Sequence, residues 1–263
     1  ELGTGQTLTS THNIKNAAQG GAAFLFPRHA SLNHSVSGTH MIQPQTLQFL
    51  RKLKKNNHKA WMDEHRSQYE GAKRDFESFI QQVIDGHATN DPSLKGIVAK
   101  SCIFRINRDI RFSKNKSPYK TNMGAFINKG GKKSVTAGYY FHLEPGNSFA
   151  GGGLYMPQPP ELAKVRQEID YNFPEFKKII SSGSFRSNFG TLDTSEEYQL
   201  ARLPKGYETG HPATDYLKLK SFTAFKALSD QEVSSKNLLK STLKAFSALQ
   251  PLLVFLNQGI EDS

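Results

Sequence analysis

The densest run of chemically capable side chains is Phe104-Arg105-Ile106-Asn107-Arg108-Asp109-Ile110-Arg111-Phe112, followed by Lys116, Tyr119 and Lys120. Arginine is the forked, permanently charged donor that matches phosphate and carboxylate oxygens in pairs. Between residues 100 and 133, ten basic side chains face a single acid, Asp109. Counted as an extended chain, Cys102, Phe104, Ile106, Arg108, Ile110 and Phe112 share one face, and Arg105, Asn107, Asp109 and Arg111 the other. Arg108 then interrupts an apolar side, where a guanidinium needs an acid or a ligand. A bulge near Asn107 would instead swing it toward the other arginines.

Two readings compete. In the structural one, Asp109 pairs with Arg105 or Arg111, and Arg108 bonds a carboxylate from another element. In the functional one, Arg105, Arg108, Arg111, Lys116 and Lys120 donate to an anion, Asp109 orients their forks and Tyr119 adds a hydroxyl. The shortage of acids favours the functional reading, because crowded arginines are costly to hold without an anion. Asp109 among cations stays ionised, which suits a base or an orienting group and not a general acid.

His142 and Glu144 share a strand face. A lone strand histidine is more often a satisfied structural residue, yet His142 is the best general acid or base available. Gly151-Gly152-Gly153 suits either a close approach to phosphate or close strand packing, with no helix start after it to decide for phosphate. The stretch from Gly124 to Ser134 fails as a phosphate loop, because Lys133 stands where Ser or Thr is needed. Gly146-Asn147-Ser148-Phe149-Ala150 lacks the last glycine of a nucleophile elbow. No HExxH or CxxC motif is present, so no metal and no cofactor is expected. Cys102 falls on the apolar face and reads as packing.

The elements that must position these groups follow from periodicity. Leu47, Leu50 and Leu53 predict a helix from Pro44, with Asn56-Asn57 breaking it and capping the next. Trp61, His65, Tyr69, Ala72, Phe76, Ile80 and Val83 predict one long helix, stopping near Asp85-Gly86, whose aromatic stripe is core. Alternation predicts strands over the arginine string from Cys102, at 123–127, after Lys133 to Leu143, and at 148–156, with turns at Asn128–Gly131 and Glu144–Asn147. Lys129, Lys132 and Lys133 read as turn decoration. A helix from Pro160 to about Tyr171, a strand near 221–228 and a closing helix bent or broken at Pro251 complete the chain. Segregated helices and strands predict α+β: one domain over 41–263, a mostly antiparallel sheet of four to six strands, and helices mainly on one face.

The composition sets outer bounds. The chain has 263 residues, 34 Lys and Arg against 23 Asp and Glu, a formal charge of +11 and one cysteine. A single cysteine forms no internal disulfide and fits a reducing, cytoplasmic setting. No apolar run approaches the ~18 residues of a membrane span, so no membrane partner is expected. Residues 1–40 are rich in Ser, Thr, Asn, Gly and Ala and end in Gly38-Thr39-His40-Met41, which reads as an expression leader or upstream extension outside the fold. His12, His29, His34 and His40 within it are too irregularly spaced for a metal site.

The string Arg105-x-x-Arg108-Asp109-x-Arg111-Phe112-x-x-Asn115-Lys116-x-x-Tyr119 resembles the signature of the family catalogued as domain of unknown function 2461. Met41-Ile42-Gln43-Pro44, Asn56-Asn57 with Trp61, Gly151–Tyr155 and His211-Pro212 resemble further segments of it, over about 41–258. The resemblance implies a single domain beginning near Met41 and marks the arginine string as the family's characteristic feature; it implies no activity.

The leading expectation is therefore a domain that binds a phosphate-rich anion through the arginine string: nucleic acid, a nucleotide or a phosphorylated metabolite. The alternatives are an enzyme for a phosphorylated or carboxylated substrate, with His142 and Asp109 moving protons, and an interaction module whose string forms a structural ion-pair network.

Overall fold

The apolar stripe of Leu47, Leu50 and Leu53 is buried on α1 (Pro44–Lys55), opened by Pro44 where the missing N–H costs nothing. The computed structural model describes residues 41–208 and 210–261; the leader expected over 1–40, with its histidines, lies outside them. Asn56 ends α1, but the next helix, α2 (Lys59–Glu64), is capped by the ring of His58, which accepts from the Trp61 N–H at 3.3 Å.

The single long helix expected from Trp61 is divided. His65 leaves helical geometry, its ring stacks on Trp61 at 4.2 Å, and its Nδ1 lies 2.9 Å from the Trp61 carbonyl oxygen. A side chain there competes with the backbone for its own acceptor. Beyond it, α3 (Arg66–His87) runs past the stop expected at Asp85-Gly86, and Gly86 is where the helix meets Leu243 closely.

Four strands, β1 (Met123–Ile127), β2 (Gly138–Leu143), β3 (Ser148–Leu154) and β4 (Phe222–Leu228), form one antiparallel sheet in the order β1-β2-β3-β4. Register places Phe141 opposite Ala125 and Ala150, and His142 opposite Gly124 and Phe149. Alternation then gives two faces. The inner one carries Tyr139, Phe141 and Leu143; the outer carries Tyr140 and His142. Phe79 of α3 lies 5.0 Å from the Phe141 ring, and Phe246 of α10 (Leu238–Glu261) lies 4.8 Å from Tyr139.

The closing helix is not broken at Pro251. It continues to Glu261, with Leu249, Leu252, Leu253, Phe255 and Leu256 buried around the proline. That packing outweighs the roughly 3 kcal/mol a mid-helix proline costs. Ahead of α10, α5 (Pro159–Tyr171) packs against it, and the shorter helices between α5 and β4 fill the same side. The chain is one α+β domain with helices mainly on one face of the sheet. No helix among the described residues is long and apolar enough to cross a membrane.

The strand expected over the arginine string does not form. Cys102 ends a helical turn, α4 (Ala99–Cys102), and is buried there. Beyond it only isolated bridges pair Ile103 with Ala125 and Asn107 with Tyr119. The segment folds back on itself as a flap, with Arg108 N donating to Pro118 O at 2.9 Å and Lys120 N to Ile106 O at 2.7 Å. Pro118 has no N–H to return, and the Asp109 and Asn115 carboxyl and amide oxygens accept from the backbone of Arg111 and Ser117. Local side-chain bonds displace the ladder.

Candidate functional site

The flap divides the sequence-predicted donors into two groups. At its tip, Asp109 is held by Arg111 in a two-pronged pair, Nε to Oδ1 at 3.0 Å and Nη2 to Oδ2 at 2.6 Å. Those bonds keep the Asp109 carboxyl well below its usual range, at about 2. Among the described residues Arg108 meets no carboxylate: its guanidinium donates to Ser117 O at 3.1 Å and to Ser113 Oγ at 3.4 Å. Lys116 donates to Ile110 O at 3.1 Å. These side chains hold the flap's own turns. Tyr119 is buried at the flap's base, where Asn57 brackets its backbone with bonds of 2.9 and 3.0 Å. From the sequence, Asn57 reads as part of a helix break and cap and of the family resemblance, not as a support for Tyr119.

At the base, a different set of cations converges. Lys120 Nζ lies 5.4 Å and Lys132 Nζ 5.8 Å from the centre of the Phe104 ring, and Arg105 is the next residue along. Lys120 is buried, and its pKa is pushed down to about 8, first by that burial and then by the positive charges of Arg105 and Lys132. Lys132, also lowered by burial, donates to Ile103 O at 2.6 Å. Among the described residues, none of the three cations has a carboxylate within ion-pair distance. Lys132, read from the sequence as turn decoration, thus belongs to the cluster; the side chain of Lys133 lies outside the described ones.

Phe104 and Lys132 also line a cleft of about 260 Å³ over the outer face of the sheet. Its floor crosses the strands in order: Phe126 of β1, Tyr140 of β2, Gly153 of β3, Thr223 and Phe225 of β4. Gly153 adopts φ +127°, and a Cβ there would sit 2.0 Å from the Phe222 carbonyl oxygen. The glycine run is therefore required by strand packing, and it leaves the floor without side chains at that point.

Behind Tyr140 lies a buried polar group. The Tyr140 hydroxyl is 3.3 Å from His142 Nδ1, and the His142 ring stacks on Phe149 at 4.5 Å. His142 Nε2 is 3.6 Å from Glu144 Oε2, longer than a hydrogen bond. Burial pulls the His142 pKa down against the opposing pull of Glu144, so the ring is neutral. Burial alone would raise Glu144, but the neighbouring His142 ring and the bonds from Thr121 and Asn147 carry it below the usual value. Lys120 acts on His142 through its charge. No described interaction joins His142 to Asp109.

Comparison with protein families gives one match: the model described as "Conserved hypothetical protein (DUF2461)" covers residues 45–255. The chain belongs to this family. No curated protein and no solved structure matches. In this DUF2461 domain the matched span takes in the flap, all four strands and most of α10. Among its described residues, no group of three His, Cys, Asp or Glu side chains is placed to hold a metal ion.

Proposed function

We propose that the domain binds a small phosphate-bearing ligand, its anion held by Arg105, Lys120 and Lys132 and its apolar body lying in the cleft over the sheet's outer face. The observation that carries this reading is the gathering of Lys120 and Lys132 over the Phe104 ring, with the charge of Arg105 acting on Lys120, no carboxylate within ion-pair distance of any of the three among the described residues, and Lys120 buried. Burying an uncompensated ammonium is costly, and an anion in the cleft mouth offsets that cost. The aromatic floor supplies the flat apolar contact typical of small-molecule sites. A cleft of small volume, in place of an extended basic track, favours a nucleotide or phosphorylated metabolite over a nucleic-acid strand. Arg108, Arg111 and Lys116 shape the flap, and Asp109 orients Arg111.

Thermal-shift measurements with pyrophosphate and nucleotides test this. They should raise the melting temperature, and Arg105→Ala with Lys132→Ala should abolish the rise. Affinity should fall gently with salt, as for one or two phosphates at about −0.7 to −0.9 in log K per log salt each, whereas a nucleic-acid track gives a steep slope. Absence of any shift would remove the reading.

A second reading, catalysis on such a ligand, has one observation in its favour: Tyr140 lines the cleft and touches buried His142, giving a proton path from the His142–Glu144 group to the ligand. His142→Gln should then abolish turnover while leaving the ligand-induced shift; unchanged turnover removes His142 from the chemistry.

A further inference from the structure

Two side-chain oxygens at the cleft have no hydrogen-bond partner among the described residues. Thr223 is 2% exposed, and its hydroxyl makes no hydrogen bond among the described residues. Glu161, in the first turn of α5, lines the same cleft, and its Oε2 is buried without a partner. Buried polar atoms are nearly always satisfied, so two orphans facing one cleft call for partners from outside the chain, a donor for the Glu161 carboxylate and a donor or an acceptor for the Thr223 hydroxyl. A carboxylate accepts only, and the ligand edge it meets must therefore carry N–H groups.

The sheet fixes where this demand sits relative to the cations. Thr223 is on β4, while Phe104 donates its N–H to Gly124 on β1, at the opposite edge. Strands lie roughly 4.8 Å apart, so β1 and β4 are about 14 Å apart across the floor. That is the order of the reach from the ring edge of a nucleotide to its phosphates. Between the two ends lie Phe126, Tyr140 and Phe225, a surface for a flat ring.

Resting on the anion-binding reading above, we infer that the ligand is a nucleotide whose base bears an exocyclic amino group, with Glu161 and Thr223 meeting the base edge and Arg105, Lys120 and Lys132 the phosphates. A guanine edge, with adjacent ring and amino N–H donors, suits the Glu161 carboxylate best. Adenine and cytosine offer an amino group alone. Uracil offers a single ring N–H flanked by two carbonyl oxygens that the carboxylate repels.

The test compares the 5′-diphosphates of guanosine, adenosine, cytidine, inosine and uridine, with pyrophosphate as reference, by calorimetry on the full chain. The guanosine nucleotide should bind at least about tenfold more tightly than that of uridine, the size expected for a hydrogen bond to a charged group. Removing its amino group, as in inosine diphosphate, should cost most of that preference. Glu161→Gln should erase the discrimination and leave pyrophosphate binding unchanged. Thr223→Val, which keeps the shape of the buried side chain, should fold as well as the parent and weaken the guanosine nucleotide. Equal affinity for all five nucleotides, or discrimination that survives both substitutions, overturns this assignment while leaving the anion site standing. Failure of pyrophosphate and every nucleotide to bind overturns both.

Discussion

The two faces of β2 solve opposite problems with alternate residues of one six-residue strand. On the inner face Tyr139, Phe141 and Leu143 lie under α3 and α10, and Phe141 is packed between Phe76 and Phe79. Even the polar exception there, His87, is edge-on to Tyr139 and kept neutral by its burial. On the outer face Tyr140 and His142 are buried too, but beside Lys120, Glu144 and an open cleft. Burial on one side removes apolar surface from water; on the other it holds polar groups at a cost, which is the usual mark of a site as opposed to a core.

That contrast is breakable. Phe141→Ala should cost about 3–5 kcal/mol in denaturant unfolding, since a large aromatic is lost from closed packing. Phe225→Ala, on half-buried outer-face surface, should cost clearly less yet eliminate the nucleotide-induced thermal shift. Equal losses of stability would mean that the outer face is merely a second core.

Asn57→Ala comes next. Removing both bonds to the Tyr119 backbone should cost about 1–3 kcal/mol and loosen the flap that carries Arg105 and Lys120. Hydrogen exchange should rise at residues 104–120 and stay unchanged in β2 and β3. Exchange spreading through the sheet would show that the flap and the core unfold together.

Lys120→Met should be stabilising and damaging at once. The lysine titrates at about 8 in the folded chain against 10.5 for an unperturbed lysine. Its folded pKa is depressed, so the unfolded chain binds the extra proton between those values, and parent stability rises with pH across that window. The Met variant should therefore be more stable than the parent at neutral pH. Its advantage should shrink as pH climbs from about 8 toward 10.5, while anion binding is lost at every pH. The smallest effect is expected from Asp109→Asn at the exposed flap tip, with melting temperature and anion affinity both close to the parent's.

Much of this molecule was readable from spacing alone. The alternation of residues 138–143, the turn at Glu144–Asn147 and the leucine stripe of α1 gave elements in the right places, because each is decided by one face meeting one core. The arginine string failed as a strand for a local reason. Pro118 and the Asp109 and Asn115 side chains take over the hydrogen bonding that period-two counting assumes for the backbone. Period-two counting sets Arg108 apart from Arg105 and Arg111, and only the functional reading gathers all three in one site; in the structure Arg108 and Arg111 bond within the flap's own loop and only Arg105 is beside Lys120. Lys132, Glu161 and Thr223 carry no motif. They line one cleft only through the tertiary fold, which sets Thr223, near the start of β4, across the sheet from the Phe104 segment more than a hundred residues earlier. A hydroxyl inside the apolar run Phe222-Thr223-Ala224-Phe225 was the one local signal available.

The most direct measurement is an NMR titration of the Lys120 ε-position with and without saturating pyrophosphate. The midpoint should lie near 8 in the ligand-free protein and move up as the anion compensates the crowded charges. A Lys120 that titrates identically with and without pyrophosphate would contradict an anion site there.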